Sequence, residues 1–283
     1  MNASGSRIKR FLDELARFNA TPGQGITRMS YSSQACAARA WLRQQMEQAG
    51  LQVREDAIGN VIGTLPGARA SLPSVMIGSH FDTVPHGGAF DGAAGVVMAL
   101  EIATLFHEQG LRPHYPLEVV ALVEEEGASF GRGLLASSAM AGHISSQTLE
   151  SLHDSAGISA SQRMSEAGYD PVEVSRVVRA PESLKAFIEL HIEQGPVLEQ
   201  TATDIGIVDA IVGMTQLSVT LTGKAGHAGT TPMDKRQDAL LAASHIISQV
   251  GEFARQAGDA TVATVGKLQV YPNGSNVIPH QVV

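Results

Sequence analysis

The chain has few of the residues that mark several common protein classes. Cys36 is the single cysteine among 283 residues, so an internal disulfide and a zinc site built from thiolates are both excluded. No apolar run approaches the roughly 18 residues that span a bilayer, and residues 1–18 lack the apolar core of a signal peptide. We therefore expect a cytoplasmic protein with no membrane partner.

Basic residues are also scarce. The chain has 20 lysines and arginines against 28 aspartates and glutamates, which gives a formal net charge of −8. A general nucleic-acid binder would carry a basic face, so we expect no nucleic-acid partner. The chain has ten histidines against four tyrosines and one tryptophan, which slightly favours metal or proton chemistry. Composition alone does not decide between these and other functions.

The order of the predicted elements indicates an α/β domain. In chain order they are helices at 8–18 and 33–49, a hairpin of 52–56 and 61–65, a strand at 74–79, a helix at 93–108, and strands at 117–123 and 186–190. A strand, helix and strand at this spacing are typical of a βαβ unit. Ligands bind beyond the carboxyl ends of such strands, where His80, Glu124 to Glu126, and His191 are expected to lie.

From about residue 213 the pattern changes. Residues 216–222 alternate as in a half-buried strand, 235–256 read as an amphipathic helix, and 260–271 are again typical of a strand. This is an α+β unit with its own plan, so we predict a first domain at 1–211 and a second at 212–283. The polar, helical segment 142–181 is expected to cover one edge of the first domain.

The stretch GSHFDTVPHGGAFDGAAGVVMALE, residues 78–101, combines a strand end, two carboxylates and many glycines. Asp82 is placed to accept a hydrogen bond from the N–H of the His80 imidazole and so to fix its tautomer. Metal-binding histidines are usually supported in this way. Glycines beside Asp91 let the backbone bend close to a charged centre. The pattern therefore predicts a metal ligand, an acid that orients it, and a second ligand on a turn.

Imidazoles and carboxylates without thiolates suit zinc, and also manganese or cobalt. The candidate ligands are His80, Asp91, Glu126 and His191. Asp91 can give one oxygen to each of two ions roughly 3.5–4 Å apart. Adjacent glutamates cannot face one ion in the same way, so one of the pair at 125 and 126 can bind metal while the other acts on water as general base.

Each of these features has a simpler explanation. Most histidines near acids are merely hydrogen-bonded, and three glutamates after a strand also suit the start of a helix. A glycine-rich turn before a helix can hold phosphate, although this one lacks the spacings of the phosphate-binding and dinucleotide-binding loops. Taken singly these explanations are as good as the catalytic one. The occurrence of all these features together, at strand ends on one edge of the sheet, favours a metal site.

Five stretches between about residues 76 and 279 carry a more specific signal. They are GSHFDTVPHGGAFDGAAGV, VEEEGASFGRGLL, ELHIEQGPVLE, GKAGHAGTTPMDKRQDAL and PNGSNVIP. Together they resemble the M20 metallopeptidase family, in particular the amidohydrolase branch with N-carbamoyl-L-amino-acid hydrolases, allantoate amidohydrolase and yeast-type β-ureidopropionase. The resemblance implies a metallohydrolase domain with a mixed sheet and an inserted α+β lid and dimerisation domain. It also implies hydrolysis of a linear amide or ureido bond in a small N-carbamoyl amino acid or an allantoate-like ureide.

The resemblance implies two divalent cations, zinc in the first place and manganese or cobalt as alternatives. His80, Asp91 and His191 would hold one ion, and Asp91 and Glu126 the other. Glu125 would be the general base, and Asp82 the acid that supports His80.

The second domain is assigned further roles by the resemblance. It would form a homodimer, and His227 would stabilise the oxyanion in the partner subunit's site. Gln216 and Asn276 match positions that bind the carboxylate end or the ureido group of the substrate. From the residues alone, His227 would be read as a surface imidazole in a glycine-rich turn.

The chain departs from the family pattern at its end. Family members continue beyond the N-V-I-P motif, return to the first domain, and supply a last histidine and a substrate-binding arginine. Here the sequence stops at Val283, and His245 and His280 lie in the predicted lid. The resemblance thus implies a C-terminally truncated chain with two protein ligands at the second ion and exposed apolar surface in the first domain.

Two other functions stay open at this point. One is an M20 aminopeptidase or aminoacylase that acts on peptides or N-acyl amino acids. The other is an inactive remnant that serves as a binding or dimerisation module. A substrate panel separates the first from the leading hypothesis, and metal analysis separates the second.

Overall fold

The computed structural model describes residues 2–69, 71–258 and 261–283. The chain divides into two compact units, Met1–Gly206 and Ile207–Val283. The sequence pattern had placed the start of the second domain at residue 212. Among the described residues, no helix combines the length and the apolar character that crossing a bilayer requires.

Two capped helices open the first unit. Helix α1 spans Gly5–Leu15 and helix α2 spans Ser33–Gln48. Each begins after a serine, Ser4 or Ser32, whose side chain accepts a hydrogen bond from the third residue beyond it. Their apolar faces are buried in the main core of the unit, so both helices agree with the periodicity of the sequence.

A five-stranded mixed sheet forms the centre of the first unit. Its strands are β1 (Gln52–Glu55), β2 (Val61–Leu65), β3 (Ser74–His80), β4 (Leu117–Leu122) and β5 (Leu184–Ile188), in the spatial order β1-β2-β4-β3-β5. The pairs β1–β2 and β2–β4 are antiparallel, whereas β4–β3 and β3–β5 are parallel. The expected α/β class and the mixed sheet are therefore confirmed.

Helix α3 (Ala93–Glu108) makes the crossover from β3 to β4. Its inward residues Val96, Val97, Leu100 and Ala103 are fully buried. All six residues of β4 are buried as well, as suits a central strand covered on both faces. This packing fixes the carboxyl ends of β3 and β4 side by side.

Short helices follow β4, as the polar pattern of residues 142–181 predicts. They are α4 (Leu135–Met140), α5 (Ser146–Ser151), α6 (Ala160–Glu166) and two 3₁₀ turns at Pro171–Val177 and Pro181–Ser183; α7 (Val197–Gln200) comes after β5. Strand β5 lies at the edge of the sheet and leaves Phe187 and Ile188 about half exposed.

The second unit is a small α+β structure. It contains β6 (Leu221–Thr222), β7 (Gly226–His227), helix α8 (Ala239–Ala257), β8 (Val270–Tyr271), β9 (Val277–Ile278) and β10 (Gln281–Val282). The strands pair in the orders β6-β10-β8 and β7-β9. Helix α8 is capped by Asp238, whose side chain accepts hydrogen bonds from the backbone of Leu240 and Leu241.

The predicted strands at 216–222 and 260–271 are wrong for most of their length. Each is a strand over its last two residues, β6 and β8, and Ala260 lies outside the described residues. The rest is exposed; Leu217, for example, is 83% accessible. An alternating apolar pattern forms a strand when a neighbour takes its backbone hydrogen bonds and covers one face, and the described part of the chain offers these segments neither.

Candidate metal centre

The parallel strands deliver acids and imidazoles to one edge of the sheet. His80 is the last residue of β3 and is in register with Leu122, the last residue of β4. Glu124 to Glu126 follow β4 directly, and His191 comes three residues after β5. Because β3, β4 and β5 run in the same direction, these segments of distant sequence meet at one edge.

His80, Asp91 and His191 form a cluster. One ligand atom from each lies within 4.8 Å of the other two. Asp91 Oδ1 is 3.2 Å from His191 Nε2 and 3.8 Å from His80 Nε2, and the two Nε2 atoms are 3.5 Å apart. The imidazole rings are stacked, with their centroids 5.7 Å apart. The structure thus brings together three of the four predicted ligands.

Hydrogen bonds assign the tautomers of both histidines. His80 Nδ1 is 3.0 Å from the carbonyl oxygen of Asp82, and His191 Nδ1 is 2.8 Å from that of Ile192. A carbonyl oxygen accepts but does not donate, so each Nδ1 carries the hydrogen and each Nε2 presents its lone pair. Two lone pairs and a carboxylate oxygen then face the same small space. Their mutual repulsion is relieved by a cation, and this donor set fits zinc, manganese or cobalt.

Two buried carboxylate oxygens support the same conclusion. Asp91 Oδ1 and Glu126 Oε1 are both buried and receive no hydrogen bond from any described residue. Burial, and then the negative charge of Asp91, raise the pKa of the Glu126 carboxyl to about 7. A buried carboxylate without a donor is costly unless a cation compensates it. Glu126 itself lies outside the three-residue cluster of His80, Asp91 and His191.

Asp82 supports the centre in a different way from the one predicted. Its carboxylate lies 3.8 Å from His80 Nδ1, and the imidazole is bonded instead to the Asp82 main-chain carbonyl. The carboxylate accepts hydrogen bonds from the backbone N–H of Glu125 at 3.1 Å and of Glu126 at 3.2 Å. Burial, and then the charge of Glu124, raise the Asp82 pKa to about 7. The side chain thus holds the loop that carries the two glutamates.

Glu125 lies beside the cluster. Its Oε2 is 3.7 Å from His80 Nε2, and its side chain is one-third exposed. It is outside the three-residue cluster, so its carboxylate is free for a role other than holding the ion there. The separation of roles between Glu125 and Glu126 that the sequence suggests is compatible with this arrangement.

Gln194 is a residue of the centre that sequence reasoning missed. Its Nε2 donates a 2.8 Å hydrogen bond to Asp91 Oδ2, and its backbone has a positive φ of 56°. The bond fixes the direction in which Asp91 presents its other oxygen. The available signal was its place three residues after His191, within the stretch ELHIEQGPVLE.

Gly92 is required at the start of α3 for two reasons. Its φ is +59°, and a Cβ at this position would lie 2.4–2.5 Å from three ring atoms of His80. We expect Gly92→Ala to displace the imidazole and to weaken zinc binding at least about 10-fold, as losses of ligand orientation do. Competition with a chromophoric chelator measures the affinity.

Gly110→Ala is the matched control for this substitution. Gly110 also has a positive φ, +60°, but a Cβ there would meet nothing within 4 Å. This control variant carries the backbone penalty of roughly 1 kcal/mol without the collision. Equal zinc affinities of the two variants would contradict the steric role of Gly92.

The remaining predicted site residues lie in the second unit. His227 belongs to β7 and pairs with Val277 in β9, and the Asn276 carbonyl accepts a hydrogen bond from Ala228. His227 and Asn276 are therefore neighbours, whereas Gln216 lies in the exposed stretch before β6. Within this unit, His227 Nδ1 accepts a hydrogen bond from the Gly229 backbone N–H. The roles of these three residues in substrate binding stay predictions.

A mixed α/β sheet that ends in a His-Asp-His cluster, with carboxylates beside it, defines a class of metal-dependent hydrolases. A model of Peptidase family M28 matches residues 60–187, which include β3, β4 and the loops of Asp91 and Glu126. The chain's relatives include N-carbamoyl-L-amino-acid amidohydrolases, allantoate amidohydrolases and ureidoglycolate hydrolases. The chain belongs to this M20/M28-like amidohydrolase family, which is metal-dependent.

Three relatives illustrate the similarity. The N-carbamoyl-L-amino-acid amidohydrolase of Paenarthrobacter aurescens is 47% identical over 280 residues, which cover 99% of this chain and 68% of that protein. The allantoate amidohydrolase of Bacillus subtilis is 37% identical, with 97% and 66% covered. The crystal structure of AtUAH in complex with glyoxylate is 33% identical with a TM-score of 0.83, and the match covers 100% of this chain and 68% of that one.

Proposed function

We propose that the protein hydrolyses a linear ureido or amide C–N bond in a small N-carbamoyl amino acid or an allantoate-like ureide. The observation that carries the proposal is the convergence of His80, Asp91 and His191 on one space beside the partly exposed carboxylate of Glu125. The relatives supply the substrate class, since their names denote amidohydrolases of carbamoyl amino acids and of allantoate.

His80, Asp91 and His191 would hold one divalent cation, and Asp91 and Glu126 a second. Zinc is the first choice for this donor set, with manganese or cobalt as alternatives. When bound, such ions polarise a carbonyl and make water more acidic. Asp91 contributes one oxygen to this space, while Gln194 holds the other.

Glu125 carries the proton in the reaction. Its carboxylate accepts a proton from water as the water oxygen adds to the carbonyl carbon of the substrate. The C–N bond then breaks, and Glu125 returns the proton to the leaving nitrogen. Asp82 keeps Glu125 in place through the backbone hydrogen bond described above. We further propose that His227, Gln216 and Asn276 of the second unit bind the substrate in a homodimer.

A substrate panel tests the proposal. The panel contains N-carbamoyl amino acids, allantoate, N-acetyl amino acids and dipeptides, each assayed with zinc, manganese or cobalt. We expect release of ammonia or carbon dioxide from the first two groups and no cleavage of dipeptides. Cleavage of dipeptides alone would overturn the proposal in favour of a peptidase, the activity named by the matching family model.

A further inference from the structure

We propose that Glu124 is a positioning residue whose buried carboxylate closes the loop that carries Glu125 and Glu126, and so fixes both side chains relative to the cations. This inference rests on the proposed function for the roles of the two neighbours. Glu124 itself is fully buried, so it is placed to act on the centre through the loop.

The side chain of Glu124 folds back onto its own loop. Its Oε1 accepts hydrogen bonds from the backbone N–H groups of Ser129 and Phe130, both at 3.1 Å. These two bonds join residue 124 to residues five and six positions later, and they enclose Glu125 and Glu126. A carboxylate that accepts two backbone N–H bonds is a strong local restraint.

The backbone of the loop is anchored at the same place. The carbonyl of Glu124 accepts from Leu135 N at 3.0 Å, and that of Glu125 from Leu134 N at 2.7 Å. Gly127 has a φ of +67°, and a Cβ there would come within 2.4 Å of Gly133 N. The loop is therefore folded tightly against residues 132–135, and a shift at Glu124 would pass to the two glutamates that follow.

The other side of the segment is held from elsewhere in the unit. Val123 N donates to Asn60 Oδ1 at 3.0 Å, and Glu125 N and Glu126 N donate to Asp82. These bonds fix the start of the loop on the sheet. The turn that follows is closed by a backbone bond of 2.8 Å from Gly131 N to the Gly127 carbonyl, and by the side chain of Glu124, whose Oε1 accepts from the N–H groups of residues 129 and 130.

The residue type at position 124 is unexpected on stability grounds alone. A φ of +53° favours glycine or asparagine, and a fully buried position favours an apolar side chain. Glu124 also keeps one oxygen, Oε2, without a hydrogen-bond donor among the described residues. The two hydrogen bonds of Oε1 are what distinguish glutamate here from a residue that would suit the backbone and the burial better.

Three substitutions of Glu124 separate the parts of this argument. Glu124→Gln keeps an acceptor at the Oε1 position. Glu124→Gly removes the acceptor and relieves the positive φ, and Glu124→Ala removes the acceptor alone. Leu149→Ala, a truncation of a fully buried side chain on α5 of the same unit, is the control for general destabilisation. Zinc affinity by chelator competition and the melting temperature of the metal-free protein are measured for each.

We expect the glutamine variant to bind the second zinc ion, the one that Glu126 would hold, within about 3-fold of the original protein, and the glycine and alanine variants to lose at least about 10-fold in that affinity. Leu149→Ala should lower the melting temperature and leave the affinity within about 3-fold. Unchanged affinity in the glycine and alanine variants would overturn the inference. Equal losses of zinc affinity in Glu124→Gln and Glu124→Ala would also overturn it. So would a loss in Leu149→Ala as large as the loss in Glu124→Ala.

Kinetics add a second readout. With a hydrolysed N-carbamoyl amino acid, we expect Glu124→Ala at saturating zinc to lower kcat by at least about 10-fold and to change KM by less than about 3-fold, since the loop positions the base. A fall confined to KM would overturn the inference. Zinc affinity requires no substrate, so failure of the proposed function would leave the affinity pattern intact.

Discussion

Glu125→Gln is expected to lower kcat for hydrolysis of an N-carbamoyl amino acid by about 1000-fold, within the range that loss of a general base produces. The amide has the shape of the carboxylate but does not accept a proton from water. The backbone N–H of residue 125 still bonds to Asp82, so the loop should keep its conformation. Initial rates at saturating zinc measure the effect.

Zinc affinity should change little in this variant, because Glu125 is outside the cluster of His80, Asp91 and His191. Glu150→Gln, at an exposed position on α5, removes one charge from the same unit and should leave kcat unchanged. If Glu125→Gln kept more than about a tenth of the rate, Glu125 would not be the general base.

Asp91→Asn is expected to weaken zinc binding at least about 100-fold. The substitution removes the one negative charge of the three-residue cluster. It also creates a conflict, because Gln194 Nε2 now donates to Asp91 Oδ2 and an amide N–H₂ cannot accept that bond. If the amide turns to satisfy Gln194, its N–H₂ group faces the two Nε2 atoms and the cation. Equilibrium dialysis against zinc measures the affinity.

The metal-free protein should not be destabilised by this change. Asp91 Oδ1 is buried without a donor, and an amide carries no charge to compensate there. The melting temperature in the presence of a chelator should therefore stay the same or rise. Asp13→Asn, an exposed acid on α1, is the matched control. Zinc binding by Asp91→Asn within about 10-fold of the original would contradict the role of Asp91.

The sequence predicts the centre as far as strand direction determines it. Residues 74–79 and 117–123 are short apolar runs on either side of a helical pattern, which is enough to predict parallel strands. From that, His80 and Glu126 had to lie at one edge, although 46 residues separate them along the sequence. His191 joins them because β5 runs parallel to β3.

Details that depend on the direction of a side chain could not be predicted from the sequence. The spacing of His80 and Asp82 suggests a carboxylate–imidazole pair, but a main-chain carbonyl two residues away competes for the same N–H and is closer. The carboxylate then finds the backbone of Glu125 and Glu126, in a segment 43–44 residues away along the chain. Such a choice between acceptors is decided by local geometry.

The second unit shows a different limit of prediction from the sequence. Alternating apolar residues at 216–222 predict a strand, yet β6 covers just Leu221–Thr222. Whether such a pattern forms a strand depends on a neighbouring strand, which the pattern itself does not contain. Helix α8 was predicted well by contrast, because its hydrogen bonds are internal and its start is capped by Asp238.

Anomalous X-ray diffraction at the zinc absorption edge, on crystals grown with zinc, tests the central claim most directly. We predict a peak about 2.0–2.2 Å from the Nε2 atoms of His80 and His191 and from one oxygen of Asp91. A second peak is expected beside the carboxylate of Glu126, whose Oε1 is buried without a hydrogen-bond donor among the described residues. A map without a peak among His80, Asp91 and His191, at saturating zinc, would contradict the account.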